Sequence, residues 1–173
     1  MFDYQPHLTG ERVILRPVTA EDREALYAVA SDPDVWALHP RADRWREEVF
    51  ADYFADGLAS GGALTALSRE TGDVIGWSRF SAQFTLPGEI EIGWTFLGRA
   101  WWGGAFNAEM KRLMLDHAFR FVDRVILRIG PGNLRSRRAA EKIGAILTDR
   151  TQGEGASLNL IYAIDKPKEA PAQ

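Results

Sequence analysis

Cysteine is absent from this sequence, which excludes disulfides, thiolate-bound metal and a cysteine nucleophile together. Histidine is scarce, at three residues. His7 and His39 fall in expected loops and His117 within a helix, and no pair has metal-ligand spacing, so no metal centre is expected. An excess of basic charge is missing too. Lys plus Arg number 21 against 24 Asp plus Glu, which gives no electrostatic ground for a nucleic-acid partner. No apolar run reaches membrane-spanning length, and the first residues show no charged-then-apolar export pattern. A cytoplasmic protein with no membrane partner is expected. Internal repeats and low-complexity blocks are also lacking.

What is present suits one globular domain. The 173 residues are 46% apolar and 26% charged, enough to bury a core and too few for two comfortable ones. That domain is expected over 1–165, followed by a polar, proline-containing tail at 166–173 that should be disordered. Residues 8–17 read as a short strand stopped by Pro17. Thr19, with Asp22 three residues on, then opens a helix that ends near Asp32-Pro33. A second helix is expected from Arg44 to Leu58, closed by Gly61-Gly62. Ala63–Arg69 and Val74–Ala82 form a hairpin around Glu70-Thr71-Gly72-Asp73.

The centre of the chain is 89–108. A strand, Glu89-Ile90-Glu91-Ile92-Gly93-Trp94-Thr95-Phe96-Leu97, leads into Trp101-Trp102-Gly103-Gly104-Ala105-Phe106-Asn107, which opens a helix. Its expected polar stripe is Glu109, Arg112, Asp116, Arg120 and Asp123, opposite a core-facing stripe that includes Met110 and Met114. A strand at Arg124–Ile129 follows, then Gly130-Pro131-Gly132, an Asn133-capped helix to Ile143 and a final antiparallel pair at 145–150 and 158–164. The order predicts an α/β (α+β) fold. Its sheet is mixed and mostly antiparallel, of about seven strands, with a parallel βαβ unit at its centre and helices on both faces. Ligands in such sheets sit at the carboxyl ends of parallel strands. That places Phe96, Leu97, Gly103, Gly104, Ala105, Phe106, Asn107 and Asn133 around one cleft, with the bare first turn of the 105 helix as an anion site.

Four segments in this order resemble the GNAT acetyltransferase superfamily, in its RimJ/RimL-like branch, over nearly the whole chain. They are Leu8–Pro17 with Thr19 and Asp22; Glu91–Thr95; Trp102–Lys111; and Asn133–Arg138 running on to Gly144. The sequence departs from the family's phosphate-loop pattern at its first position, where Ala100 stands in place of Gln or Arg and Arg99 lies one place early. The resemblance implies acetyl-CoA as co-substrate, held where the two central strands splay. Backbone N–H groups at Trp94, Thr95 and Phe96 would polarise the thioester, and those of Gly103–Asn107 would hold the pyrophosphate. It also implies direct attack by a primary amine, either a protein N-terminus or a small molecule, and is compatible with a homodimer. A non-catalytic acyl-CoA sensor of the same fold is the alternative, and a different phosphate-ligand enzyme a weaker one.

Two residues stand out as catalytic. A carboxylate within a strand as apolar as 89–97 must pair, lie at an edge or face a cleft. Glu91 is therefore either the general base for the amine or a partner of Arg79 on the neighbouring strand. Ser136 sits in the first turn of the Asn133-capped helix, and the resemblance implies that it meets the departing thiolate, as a proton donor or as an orienting group. Arg135, Arg137 and Arg138 lie where the helix dipole disfavours cations, by about 0.3–1 kcal/mol each. Either a polyanion such as CoA reverses that sign, with Arg138 among its contacts, or these side chains are solvated or paired with Asp149 and Glu141. Most of the tryptophans should be core, with Trp101 or Trp102 free to line the cleft. The acceptor wall is expected from 34–62.

Overall fold

The computed structural model describes residues 1–168. Most of the expected tail thus lies outside the described residues; Lys166, within them, donates its N–H to Asp123 O at 2.8 Å. The chain runs β1 (Leu8–Thr9), β2 (Val13–Pro17), α1 (Arg23–Ala30), α2 (Pro33–Trp36), α3 (Glu47–Ala59), β3 (Ala63–Ser68), β4 (Val74–Ser81), β5 (Glu89–Leu97), α4 (Ala105–Ala118), β6 (Arg124–Ile129), α5 (Leu134–Lys142), β7 (Ile146–Gln152) and β8 (Asn159–Asp165). All eight strands form one sheet in the order β1-β2-β3-β4-β5-β6-β8-β7. Only β5 and β6 pair in parallel, among the described residues. This is the expected fold class, with eight strands rather than about seven.

The extra strand arises because 8–17 is a hairpin. Gly10 N–H donates to Val13 O at 2.8 Å, and the reversal pairs Leu8 with Leu15. The turn is held from far along the chain. Glu109 of α4 accepts from the backbone N–H groups of Glu11, Arg12 and Val13 at 2.9, 2.8 and 2.8 Å. A Cβ on Gly10 would lie 2.7 Å from the Glu109 carboxyl carbon, which explains the glycine. Glu109 is therefore a buried acceptor and not part of a solvated stripe. Asp22 has also outgrown its expected place in a first helical turn. Buried, it accepts from Arg16 through both oxygens, from Thr19 N–H and from the Thr65 hydroxyl, so it ties α1 to β2 and β3.

Proline opens a helix the sequence reading did not contain. Asp32 Oδ1 accepts from Asp34 N–H at 3.0 Å, and Pro33 at the first helical position leads α2, where its missing N–H costs nothing. Helix α3 begins three residues later than expected, so Arg44 and Trp45 belong to the preceding loop. Two apolar clusters cover the sheet, one around Met110 and Met114 of α4 and one around Leu26 and Phe50 of α1 and α3. Ala63 and Leu64, like Phe96 and Leu97, are consecutive yet divide between the clusters, as neighbours pointing to opposite faces must. Helices thus pack on both faces.

Candidate active site

Strand pairing decides where the cleft lies. β5 and β6 are paired from Glu89–Arg124 only as far as Glu91–Ile126, although β5 continues to Leu97 and β6 to Ile129. Beyond Glu91 the two strands part. The β4–β5 register also shifts between Trp77 and Arg79, a bulge that bends β5 and leaves backbone groups out of the ladder. At the bulge Trp94 has φ 52°, the only non-glycine residue with positive φ among the described residues. Such a conformation costs about 1–3 kcal/mol and persists only if its surroundings impose it. Here Tyr53 donates its hydroxyl proton to Trp94 O at 2.6 Å, Trp77 Nε1 donates to Tyr53 at 3.0 Å, and the Arg79 guanidinium lies 4.2 Å over the Trp94 ring.

The gap between the strands opens into a cavity of about 950 Å³. Of the residues expected around it, Glu91, Trp94, Thr95, Phe96 and Leu97 line it from β5. Gly103, Gly104 and Asn107 line it from the start of α4, and Asn133, Ser136 and Arg138 from the start of α5. Phe96 and Leu97 bury their side chains in the two cores, so what they offer is backbone. Ala105 and Phe106 fall outside the lining. Phe106 turns away to pack on Trp101, ring centres 4.8 Å apart.

One part of the cavity gathers bare N–H groups and cations, a chemistry that suits an anion. Gly104 at the head of α4 provides no side-chain cap, and Gly103 holds φ 70°, so the first-turn N–H groups remain free for a ligand. Trp102 Nε1 donates to Leu97 O at 2.8 Å, which pins the indole beside them. Arg135 stacks 4.0 Å from the Trp102 ring and donates to Val35 O at 2.8 Å. Arg137 donates to the Tyr162 hydroxyl and to Pro131 O. The first of these contacts ties it to Glu141 through Tyr162, and among the described residues Asp149 forms no ion pair with it. Arg138 and Lys142 remain as cations on the cavity wall. Arg99 does not stand in for the absent phosphate-loop Gln or Arg. It is bound to Asp32 and, at 2.9 Å, to Asp34, away from the cavity lining.

At the other end lies Glu91, 2% exposed. Its partner is Arg128 of β6, Nε to Oε2 2.8 Å, and not Arg79. The register sets Arg79 opposite Gly93, from where it reaches Asp56 at 2.6 Å. Burial pushes the Glu91 carboxyl above its usual range, against the opposing pull of Arg128. Its oxygen also explains Gly93, where a Cβ would sit 2.8 Å from Glu91 Oε1. Asn133 is the helix cap expected, accepting from Ser136 N–H at 3.2 Å. His117 is buried against Asp3 O at 2.7 Å, a structural residue.

Lys111 was missed by sequence reasoning. It is buried on α4, lines the cavity, and donates to Thr95 Oγ1 at 2.6 Å and Ser78 Oγ at 3.3 Å. Its signal was position: four residues after Asn107 and four before Leu115, it lies on the inward face. Burial lowers its amine to about 7 from 10.5, with Glu91 opposing. The folded chain thus binds fewer protons than the unfolded one between those values, and stability from this group rises with pH across that window. Denaturant melts of wild type and Lys111→Met should show the wild type gaining relative to the variant by at most about 1.4 kcal/mol per pH unit there. A constant difference would show that the amine is not depressed.

The sequence matches the family model of the acetyltransferase (GNAT) domain over residues 12–146. It is 30% identical over 138 residues to the uncharacterized N-acetyltransferase p20 of Bacillus licheniformis, covering 75% of this chain and 76% of that protein. The fold superposes on a GNAT-family acetyltransferase from Bacillus anthracis with a TM-score of 0.77 at 20% identity, over 92% of this chain and 98% of that one. It superposes on Mycobacterium smegmatis RimJ, solved in complex with CoA-disulfide, with a TM-score of 0.73 at 18% identity, over 95% and 90%. The match to the family model over most of the chain and the likeness to p20 show that the chain belongs to the GNAT acetyltransferase family and is an acyltransferase.

Proposed function

We propose that this protein transfers an acetyl group from acetyl-CoA to a primary amine, as a RimJ/RimL-like enzyme. The observation that carries this is the single cavity joining an uncapped helix start at one end to a buried, lone-partnered carboxylate at the other. The family membership supports a CoA thioester as donor, and the CoA-disulfide bound to the M. smegmatis protein fits that ligand class.

The residues divide the work. The first-turn N–H groups of α4, with Arg138 and Lys142 nearby, hold the diphosphate. The backbone of β5 past Glu91, freed from β6, offers donors to the thioester carbonyl as negative charge develops there. Glu91 takes the proton from the amine as its nitrogen bonds to the acyl carbon, directly or through water, and its raised proton affinity suits that task. As the carbon–sulfur bond breaks, the Ser136 hydroxyl meets the departing sulfur. An amine screen following free CoA release tests the whole reading; CoA binding without turnover on any amine would overturn it. Ser136→Ala should lower kcat by about 10²-fold with little change in CoA affinity, and unchanged turnover would remove its role.

A further inference from the structure

Arg44, in the cleft, forms no ion pair among the described residues. The Arg44 guanidinium lies 4.1 Å from the Tyr53 ring centre and 5.5 Å from that of Trp36. Its hydrogen-bond partner among the described residues is His39 Nε2 at 3.2 Å. His39 brings no negative charge to it. Nearby carboxylates are engaged elsewhere or lie beyond ion-pair reach: Asp43 pairs with Arg41 at 3.6 Å, Asp56 with Arg79 at 2.6 Å and Glu48 with Arg46 at 3.1 Å. Asp52 forms no ion pair with Arg44, although both line an adjoining cavity of about 360 Å³. A half-buried cation has lost much of its water, and aromatic faces replace only part of that stabilisation.

Its position points to the acceptor. Arg44 and Trp94 line both cavities, and Tyr53, beneath Arg44, is the residue that holds Trp94 O. The cation therefore stands one ring away from the bulge, in the cavity that Glu91 also lines. The anion end at Gly103 and Gly104 belongs to the donor and already has its own N–H groups and cations.

We propose that Arg44 receives a carboxylate of the acceptor, so that the amine acetylated belongs to a molecule with a carboxylate close to it. A guanidinium has five N–H donors in a fork that fits a carboxylate. Tyr53 and Trp36 lie to one side of it, and its remaining donors serve the acceptor. The shared chemistry covers a free amino acid and a peptide with an acidic residue beside its N-terminus. The inference rests on the acetyl-transfer reading.

The test uses matched acceptors with the full-length chain: amino acids against their amides, and dipeptides with Asp or Glu second against Asn or Gln second. Rates are expressed per free amine. The acid of each productive pair should be preferred about tenfold or more in kcat/KM, the range of a charge-assisted contact. Arg44→Gln should abolish that preference and Arg44→Lys restore part of it, while CoA affinity by calorimetry stays within about twofold of wild type, which also reports that the variants fold. The arm showing the preference identifies free amino acid or peptide. Amides accepted as well as acids, a preference that survives Arg44→Gln, or a loss confined to CoA affinity would each overturn the inference. Wild type that binds CoA yet acetylates none of the acids overturns it alone. Wild type that binds no CoA overturns the acetyl-transfer reading itself.

Discussion

Glu91→Gln should lower kcat/KM by about 10²–10³-fold, the range for losing a positioned general base, while CoA affinity changes little. The amide retains an oxygen for Arg128 Nε, now 2.8 Å from Oε2, so the wall of the cleft should stand. What it loses is the ability to take a proton from the attacking amine. Steady-state rates from free CoA release, with CoA affinity by calorimetry, separate the two effects. A loss below about threefold would leave Glu91 as the structural partner of Arg128. The acidic limb of the wild-type pH profile should lie above the ordinary glutamate range, because burial raises this carboxyl. Lys111→Met should move that limb further up, since the Lys111 charge acts to lower Glu91.

Glu109→Ala should be strongly destabilising although Glu109 lies outside the cleft. It strands the N–H groups of Glu11, Arg12 and Val13, which now rest on one carboxylate at 2.8–2.9 Å. The Val13 N–H is buried, and orphaning it costs about 1–3 kcal/mol, while those of Glu11 and Arg12 lie nearer water and cost less. A loss of about 2–4 kcal/mol follows, or about 4–16 °C in Tm for a chain of this size. The effect has a pH signature. Burial alone would raise Glu109, but the N–H bonds prevail and hold it below 4.5. Its stabilisation is therefore present above the unfolded value and lost as pH falls through the folded one. The gap between wild type and Glu109→Ala should narrow in acid. Thermal melts at neutral and acidic pH check both parts, and a Tm within about 3 °C of wild type at neutral pH would show that the turn holds without it.

Much of the cleft was legible because its cues are local. A strand running into Gly103-Gly104 and a helix, then an apolar strand, then Asn133 as a cap, are patterns of neighbours within one or two turns. The helix start without a cap, the cap at Asn133 and the crossover between parallel strands all follow from such patterns. The strand count at 8–17 failed for a distant reason: the reversal at Gly10 is stabilised by Glu109, roughly a hundred residues on. Arg99 was drawn to Asp32 and Asp34 by a helix that Pro33 opened.

The sequence by itself determined the order of the elements from β3 to β8, the parallel central crossover and the glycine head of α4, because periodicity, glycine and capping act through the adjacent backbone. Only the tertiary structure decided that Glu91 answers to Arg128 rather than Arg79, that Lys111 is drawn beneath the bulge with its amine depressed, and that Arg44 stands without a carboxylate partner among the described residues. Those outcomes depend on strand register and on how much water each charge loses, and both are set by residues far apart in the chain.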